Sequence, residues 1–221
     1  MEFWSIPRCF NGETVAILAG GPSLTAAQVE VCRGRCRMIA INRSYVLAPH
    51  ADWLYGADVG GFWLWCGGPA RINGDEPDAL DFSGTKIVAG VAREGAQQYF
   101  PRLIAGGVKL IKHCAPRQQM GLSADPGMMY GPNSVHNMMS VIHHTGAKRV
   151  ILLGVDMRNT GHWHPEWPDG AMGSDYDTFR PALATLVDPL ARARVEVLNA
   201  TPNSALKCWP RVDLAEALDR L

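Results

Sequence analysis

The chain has 221 residues, and its 21 basic and 21 acidic side chains balance to a formal charge of zero. Hydrophobic residues make up 47% and charged residues 19%, a globular composition that excludes a disordered chain. The neutral balance removes any long-range attraction to nucleic acid or anionic membranes, and no apolar run approaches the roughly 18 residues of a membrane-spanning helix. The segment from Met1 to Trp4 lacks the features of a secretory signal, so we expect a cytoplasmic protein without a membrane span.

The first predicted element is a buried strand, because Thr14 to Ala19 is a continuous run that breaks at a glycine-rich turn, Gly20 to Ser23. A helix is predicted from Leu24 to Cys32, with Thr25 as its N-cap and Gln28 three residues later. The glycines would let the backbone approach a ligand, and the helix N-terminus would offer N–H groups to a phosphate. The turn matches neither the dinucleotide-binding glycine pattern nor the P-loop, and a strand-to-helix turn without a ligand is the alternative.

A second long apolar run, Arg149 to Gly154, follows a helix predicted from Ser134 to Thr145 and closed by Gly146. Strands that alternate with helices predict an α/β fold, here a single Rossmann-like, doubly wound, mostly parallel sheet. The shorter strand candidates are Arg37–Asn42, Trp53–Tyr55, Lys86–Ala89, Val108–Ile111 and Val195–Leu198.

Polar side chains follow the predicted strands at the edge where their carboxyl ends would meet. Asn42 and Asp58 stand where either would accept from a ribose hydroxyl or a base edge, or would simply form a turn or a helix cap. Asn133 or Ser134 would cap the helix before the second long strand and face the same edge. This convergence predicts a ligand site, and the other polar residues at that edge are Asp156, Asn203 and Ser204.

An irregular segment at about 157–175 is predicted to form a lid or an acceptor-binding segment of a single domain spanning residues 1–221. It contains His162 and His164, which in extended backbone would project to the same face. One of them would be a general base or acid near neutral pH, and a metal pair is the other interpretation, although no third ligand is evident. The isolated histidines are interpreted as structural: His50, His113 and His136.

The segment Ala19 to Leu24 resembles the GxGPSL-type opening of a group of bacterial sialyltransferases and of related bacteriophage and flagellin-glycosylation proteins. Further similarities follow in the same order. Ile41 to Tyr45 resembles their asparagine after the second strand, and Asn133 to Asp156 resembles their helix–GxKxIxLxGxD unit. Thr201 to Ser204 resembles their closing C-P-N-S segment. The resemblance covers most of the chain, although residues 60–129 show little of it.

The resemblance implies a Rossmann-like domain that binds a nucleotide-sugar donor and needs no metal. The turn of Gly20 to Ser23, together with Asn42, would bind the nucleotide, and His162 or His164 would deprotonate the acceptor hydroxyl. In that family tyrosines steady the leaving phosphate. This sequence has Arg158 in their place, whose charge would neutralise the phosphate instead, so sialic acid is not assumed as the donor sugar.

The function expected from these features is a nucleotide-sugar-dependent glycosyltransferase that needs no cofactor. Its catalytic candidates are His162, His164 and Asp156. The acceptor is left open between a glycan, a protein and a hydroxylated DNA base, and phage origin, with the bacterial host cell as the location, is one version of this expectation. The oligomeric state is open, a homo-oligomer included.

Two other classes are compatible with the sequence. A pyrophosphokinase or phosphotransferase, similar to those of archaeal pterin metabolism, would hold Mg²⁺ with Asp156 and Asp58. A non-catalytic bacteriophage assembly protein would keep the fold without needing His162 or His164. Activity that survives EDTA separates the first of these from glycosyl transfer.

Overall fold

In the described part of the chain, eight strands form one sheet in which every strand pairs in parallel with its neighbours, in the order β6-β5-β4-β3-β2-β1-β7-β8. This computed structural model describes residues 2–68, 76–90, 97–114, 119–164 and 174–219. The strands are β1 Thr14–Leu18, β2 Arg37–Ile41, β3 Trp53–Gly56, β4 Thr85–Gly90, β5 Lys109–His113, β6 Met128–Met129, β7 Arg149–Leu153 and β8 Glu196–Asn199.

The central strands are buried on both faces, as their continuous apolar sequences require. All five residues of β1 are buried, and Ala16 and Ile17 pair with Ile151 and Leu152 of β7. A parallel strand that is covered on both sides cannot alternate apolar and polar residues, because each face must exclude water. The predicted α/β fold is confirmed, and the described sheet is parallel throughout.

Helices cover both faces of the sheet and so produce three layers. One face packs against α1 Ala26–Cys32, α2 Leu64–Cys66, α3 Phe100–Ala105 and α7 Leu214–Asp219. The opposite face packs against α4 Ser134–Val141, α5 Tyr176–Ala184 and α6 Val187–Arg192. The connection from β1 to β2 lies on the first face and the connections into and out of β7 lie on the second, which makes the sheet doubly wound.

Side-chain caps set the starts of two helices where the sequence predicted them. Thr25 and Gln28 form a reciprocal capping box at α1, in which the backbone N–H of Gln28 donates to Thr25 Oγ1 at 3.2 Å. Asn133 caps α4, which continues into a 3-10 turn over Ile142–Thr145 and ends at Gly146 with φ +81°. The left-handed backbone there suits glycine, so the predicted C-terminal stop is confirmed.

Among the described residues, no helix combines the length and apolar character needed to cross a membrane. The predicted lid or acceptor segment at about 157–175 is described only in part. Residues 157–164 contain no helix or strand, and residues 174–175 lead into α5. The remainder of that prediction, residues 165–173, lies outside the described residues.

Candidate functional site

A cavity of about 110 Å³ lies where the strand order reverses, at the carboxyl ends of β1 and β7. Ligands of open α/β sheets bind at this switch point, because the two neighbouring crossovers leave it in opposite directions. The volume is below the roughly 300 Å³ of the smallest ordinary ligand pockets, so the cavity has room for no more than one moiety of a larger ligand. Three glycines line it, Gly20, Gly21 and Gly154, and its polar lining residues are Asn133, Ser134, Asp156, His162, Ser174 and Tyr176.

Gly21 allows the exits of β1 and β7 to lie in direct contact. Its amide donates to the Gly154 carbonyl at 2.9 Å, and a Cβ at Gly21 would stand 2.0 Å from Asp156 Oδ2. Ser23 Oγ donates to the same carboxylate oxygen at 2.8 Å. The carboxylate of Asp156 therefore holds the glycine turn from one side while it lines the cavity.

The turn contributes to the site through its glycines. Gly20 and Gly21 line the cavity, whereas Pro22 is exposed and Ser23 faces Asp156. The helix after the turn, α1, begins at Ala26 and has only seven residues, with a first turn already capped. The cavity is lined by the N-terminus of α4 and not by that of α1. The sequence-based expectation that the N-terminus of α1 binds a phosphate therefore does not fit the position of the cavity.

His162 is oriented by the glycine turn. Its Nδ1 lies 3.0 Å from the Gly20 carbonyl oxygen, which also accepts from the Trp163 amide at 3.2 Å. Because a carbonyl oxygen only accepts, Nδ1 carries the proton and Nε2 of the neutral ring is the proton acceptor. His162 is exposed and lines the cavity, and in this tautomer its Nε2 could accept a proton as a general base does.

His164 has a different environment, although its ring is stacked on that of His162. The two ring centroids are 5.0 Å apart and the planes differ by 7°. His164 is buried, at 7% exposure, and its Nδ1 lies 3.0 Å from Nη1 of Arg43. The sequence did not show which of the two histidines is the better candidate for the base. The structure places His162 in the cavity lining and His164 behind it.

Asn133, the N-cap of α4, is one of the lining residues of the cavity. Asn133 Oδ1 accepts from the His136 amide at 2.9 Å, while its Nδ2 is buried and has no hydrogen-bond partner in the described part of the chain. A buried donor left unsatisfied costs about 1–3 kcal/mol. Ser134 stands beside it at the first helical position.

A buried network supports that helix start from below. Asn137 accepts from Tyr55 Oη at 3.0 Å and donates to the carbonyls of Tyr130 and Gly131, each at 2.8 Å. His136 lies 3.0 Å from the Tyr130 carbonyl through Nδ1, and burial lowers the pKa of His136. Every one of these contacts is internal to the fold, in agreement with a structural interpretation of His136.

The other sequence candidates do not line the cavity. Asn42 has φ +50° at the end of β2, next to a lining residue, and its buried Oδ1 has no partner among the described residues. Asp58 is exposed before the turn over Val59–Trp63, and Arg158 is exposed beyond β7. Asn203 is exposed with φ +54°.

Ser204, the remaining candidate, is an internal part of the fold. Its Oγ donates to the Val155 carbonyl at 2.6 Å and accepts from the Leu206 amide at 3.1 Å. Thr201 Oγ1 accepts from the Val155 amide at 3.0 Å. The segment Thr201–Ser204 thus holds the exit of β7, and through it the loop that carries Asp156.

The α5 residues in the lining were not among the sequence candidates. Ser174, Tyr176 and Phe179 contribute to the cavity, and Asp175 caps α5 by accepting from the Thr178 amide at 3.1 Å. An aspartate three residues before a threonine is a weak signal of a helix start, and Pro181 inside the helix obscured the periodic pattern.

The described residues offer few ligands for the Mg²⁺ that a phosphotransferase would need. In the described ranges no group of three or more His, Cys, Asp or Glu side chains could hold a metal ion. Asp58 and Asp156 follow β3 and β7, which are three strand spacings, or about 14 Å, apart. Two carboxylates on strand ends so far apart do not fit one Mg²⁺ with ligand distances of about 2.1 Å.

The chain matches no known protein family, no curated protein and no solved structure. The similarity of residues 19–24 and of the later segments to sialyltransferase-like proteins therefore stays a prediction.

Proposed function

We propose that this protein is a nucleotide-sugar-dependent glycosyltransferase in which His162 is the general base. The observation that carries the proposal is the contact between His162 Nδ1 and the Gly20 carbonyl, 3.0 Å, in the lining of the switch-point cavity. It leaves Nε2 as the proton acceptor at the place where α/β proteins bind nucleotides. The choice of His162 over His164 is supported by the burial of His164 and its contact with Arg43.

The proposed step moves one proton and exchanges one bond. Nε2 of His162 accepts the proton of the acceptor hydroxyl while that oxygen attacks the anomeric carbon of the donor. The bond between this carbon and the phosphate oxygen breaks, and its electron pair leaves with the nucleotide. A positioned base of this kind contributes about 10²–10⁴-fold to the rate.

The lining residues have distinct proposed roles toward the donor. Gly20 and Gly21 let the backbone approach it closely, and Asp156 positions that turn by accepting from Ser23. Asn133 Nδ2 and the positive end of the α4 dipole would face the charge that develops on the leaving phosphate. In this proposal the transfer requires no cofactor or metal.

The test is a panel of UDP-, GDP- and CMP-linked sugars incubated with the protein in EDTA and, in parallel, in Mg²⁺, with release of free nucleotide as the readout. We expect one nucleotide sugar to be consumed at the same rate in both buffers. Consumption of ATP that depends on Mg²⁺, with no nucleotide sugar used, would instead support phosphotransfer. No turnover of any of them would support a non-catalytic protein. Glycans, proteins and hydroxymethylated DNA are then compared as acceptors with the donor identified.

A further inference from the structure

A chain of polar contacts stands behind His162, buried at His164 and Arg43 and partly exposed at Glu76. Arg43, only 7% exposed, lies between Glu76 and His164. Its Nε donates to Glu76 Oε2 at 3.1 Å, its Nη2 pairs with Glu76 Oε1, and its Nη1 donates to His164 Nδ1 at 3.0 Å. The planar guanidinium thus donates to a carboxylate and to an imidazole at the same time. A lysine ammonium has no planar fork of donors and could not reproduce this arrangement.

The contact with Arg43 sets the protonation of His164. A guanidinium is only a donor, so Nδ1 of His164 must be unprotonated and the proton of the neutral ring lies on Nε2. A second positive charge on His164 would also repel the guanidinium 3.0 Å away. Arg43 therefore keeps His164 as a neutral ring in one orientation.

His164 in turn contacts the proposed base. Its ring lies nearly parallel to that of His162, 5.0 Å away between centroids, while the Gly20 carbonyl holds the edge of His162 at Nδ1. A Cβ at Gly20 would be 3.3 Å from that nitrogen, so the turn and the ring are in close contact on this side. The orientation of His162 is thus defined by one carbonyl and one stacked ring.

We propose that Arg43, paired with Glu76, is a positioning residue that acts through His164 to hold the plane and the tautomer of His162. This inference rests on the proposed role of His162 as a base. Burying a charged pair is unfavourable compared with apolar packing, and burial lowers the pKa of Arg43. A contact to the ring behind the base gives this buried pair a role in the site.

The test measures histidine tautomers by long-range ¹H–¹⁵N correlation spectroscopy of the intact protein, without any ligand. The signals are assigned with His162→Gln and His164→Gln. In the wild type we expect His162 protonated on Nδ1 and His164 protonated on Nε2. The double variant Arg43→Met, Glu76→Gln removes both charges together, so neither is left buried and unpaired. In it we expect His162 to lose its single Nδ1–H tautomer and to show the averaged signal of a freely exchanging ring.

His136 is the internal control, because its Nδ1 lies against the Tyr130 carbonyl in a separate part of the core. Its tautomer should stay unchanged in every folded variant. If the double variant does not fold, His164→Leu decides, since it removes the stacked ring and leaves the Arg43–Glu76 pair intact. A His162 signal that keeps its wild-type tautomer in either folded variant would overturn the proposal.

Activity gives a second readout that a purely structural role would not move. With the nucleotide sugar identified in the donor panel, we expect the double variant to lower kcat by about 10–100-fold with KM within about twofold, as misplacement of a catalytic group does. An equal loss in kcat and donor affinity would overturn the positioning role. If no nucleotide sugar is turned over but the tautomers respond as expected, glycosyl transfer is wrong and the positioning of His162 stands.

Discussion

Ser23 and Asp156 are joined by a hydrogen bond of 2.8 Å although 133 positions separate them in the chain. One residue follows β1 and the other follows β7, the two strands on either side of the switch point. The bond therefore holds the glycine turn against the exit of β7, and the cavity between them depends on this contact. Its geometry is possible because Gly21 has no side chain to separate the two loops.

Replacing Gly21 by alanine should disrupt this contact, whereas replacing Gly20 should affect mainly His162. A Cβ at Gly21 would lie 2.0 Å from Asp156 Oδ2 and 2.4 Å from the Gly154 carbonyl, so backbone must move. We expect Gly21→Ala to lower the free energy of unfolding by about 1–3 kcal/mol, as overpacking does. Among the described residues, a Cβ at Gly20 meets only the His162 ring, with Nδ1 at 3.3 Å, so Gly20→Ala should cost less than about 1 kcal/mol. Urea unfolding compares the two, and equal losses would contradict the geometry.

His162→Gln should remove the base and leave the fold intact, because the ring is exposed at the cavity. We expect kcat for the identified nucleotide sugar to fall by about 10²–10⁴-fold with little change in KM. The matched control is His50→Gln, since His50 precedes β3 at the opposite edge of the sheet. Wild-type kcat in His162→Gln would exclude His162 as the base.

Substitutions at the neighbouring residues Ser204 and Asn203 should have different effects on the free energy of unfolding. Ser204→Ala removes the donor to the Val155 carbonyl and the acceptor of the Leu206 amide, both buried, so we expect a loss of about 1–3 kcal/mol in unfolding free energy. Asn203→Gly should be neutral or nearly so, because the side chain is exposed and the backbone is left-handed. Chemical denaturation measures both, and a donor affinity lowered by Asn203→Gly with unchanged stability would restore Asn203 as a ligand contact.

The sequence predicted much of the fold because its main signals are local. The apolar runs of β1 and β7, the capping pair Thr25 and Gln28, and the stop at Gly146 each depend on a few neighbouring residues. Several elements were not predicted. Among them are β6, which has only two residues, α5, which contains Pro181, and the short helices α2, α3, α6 and α7. Strand order also stayed open, since no local pattern shows that β1 lies beside β7.

The site was predicted less completely because its contacts are long-range. Arg43 stands in an ordinary polar segment, and only the fold places it against Glu76 and His164, which are 33 and 121 positions away. Asn133 and Ser134 were correctly located at a helix start, since a cap is a local feature. Asn203 and Ser204 were assigned to the ligand from their place after a strand, but neither lines the cavity: Asn203 is exposed, and the Ser204 hydroxyl bonds to the Val155 carbonyl.

Acidic pH should destabilise the protein through His143. Burial, and next the neighbouring His144, lower the pKa of His143 to about 4, against about 6.5 in an unfolded chain. Between these values the unfolded chain binds more protons than the native protein, so the free energy of unfolding falls as pH drops from about 6.5 to 4. One proton limits the slope to about 1.4 kcal/mol per pH unit, and the contribution of His143 is smaller because the half-buried ring is partly screened by solvent.

His143→Gln tests this dependence, since it removes the titrating ring and keeps a polar side chain. We expect urea midpoints of the variant to change less between pH 5 and pH 6.5 than those of the wild type. His136, whose pKa burial also lowers, would contribute the slope that remains. An identical pH dependence in variant and wild type would show that His143 titrates normally in the folded state.

The most direct test of the central claim is thermal unfolding in EDTA with each nucleotide sugar, on the wild type and on Ser134→Leu. Ser134 lines the cavity, so a leucine there should obstruct it. The control variant is Asp58→Ala, because Asp58 follows a strand but does not line the cavity. A donor at 100 times its Kd adds about 2.7 kcal/mol of stability. We predict this stabilisation by one nucleotide sugar in the wild type and in Asp58→Ala, and its loss in Ser134→Leu. No stabilisation by any nucleotide sugar, or equal stabilisation of Ser134→Leu, would contradict donor binding at the switch-point cavity.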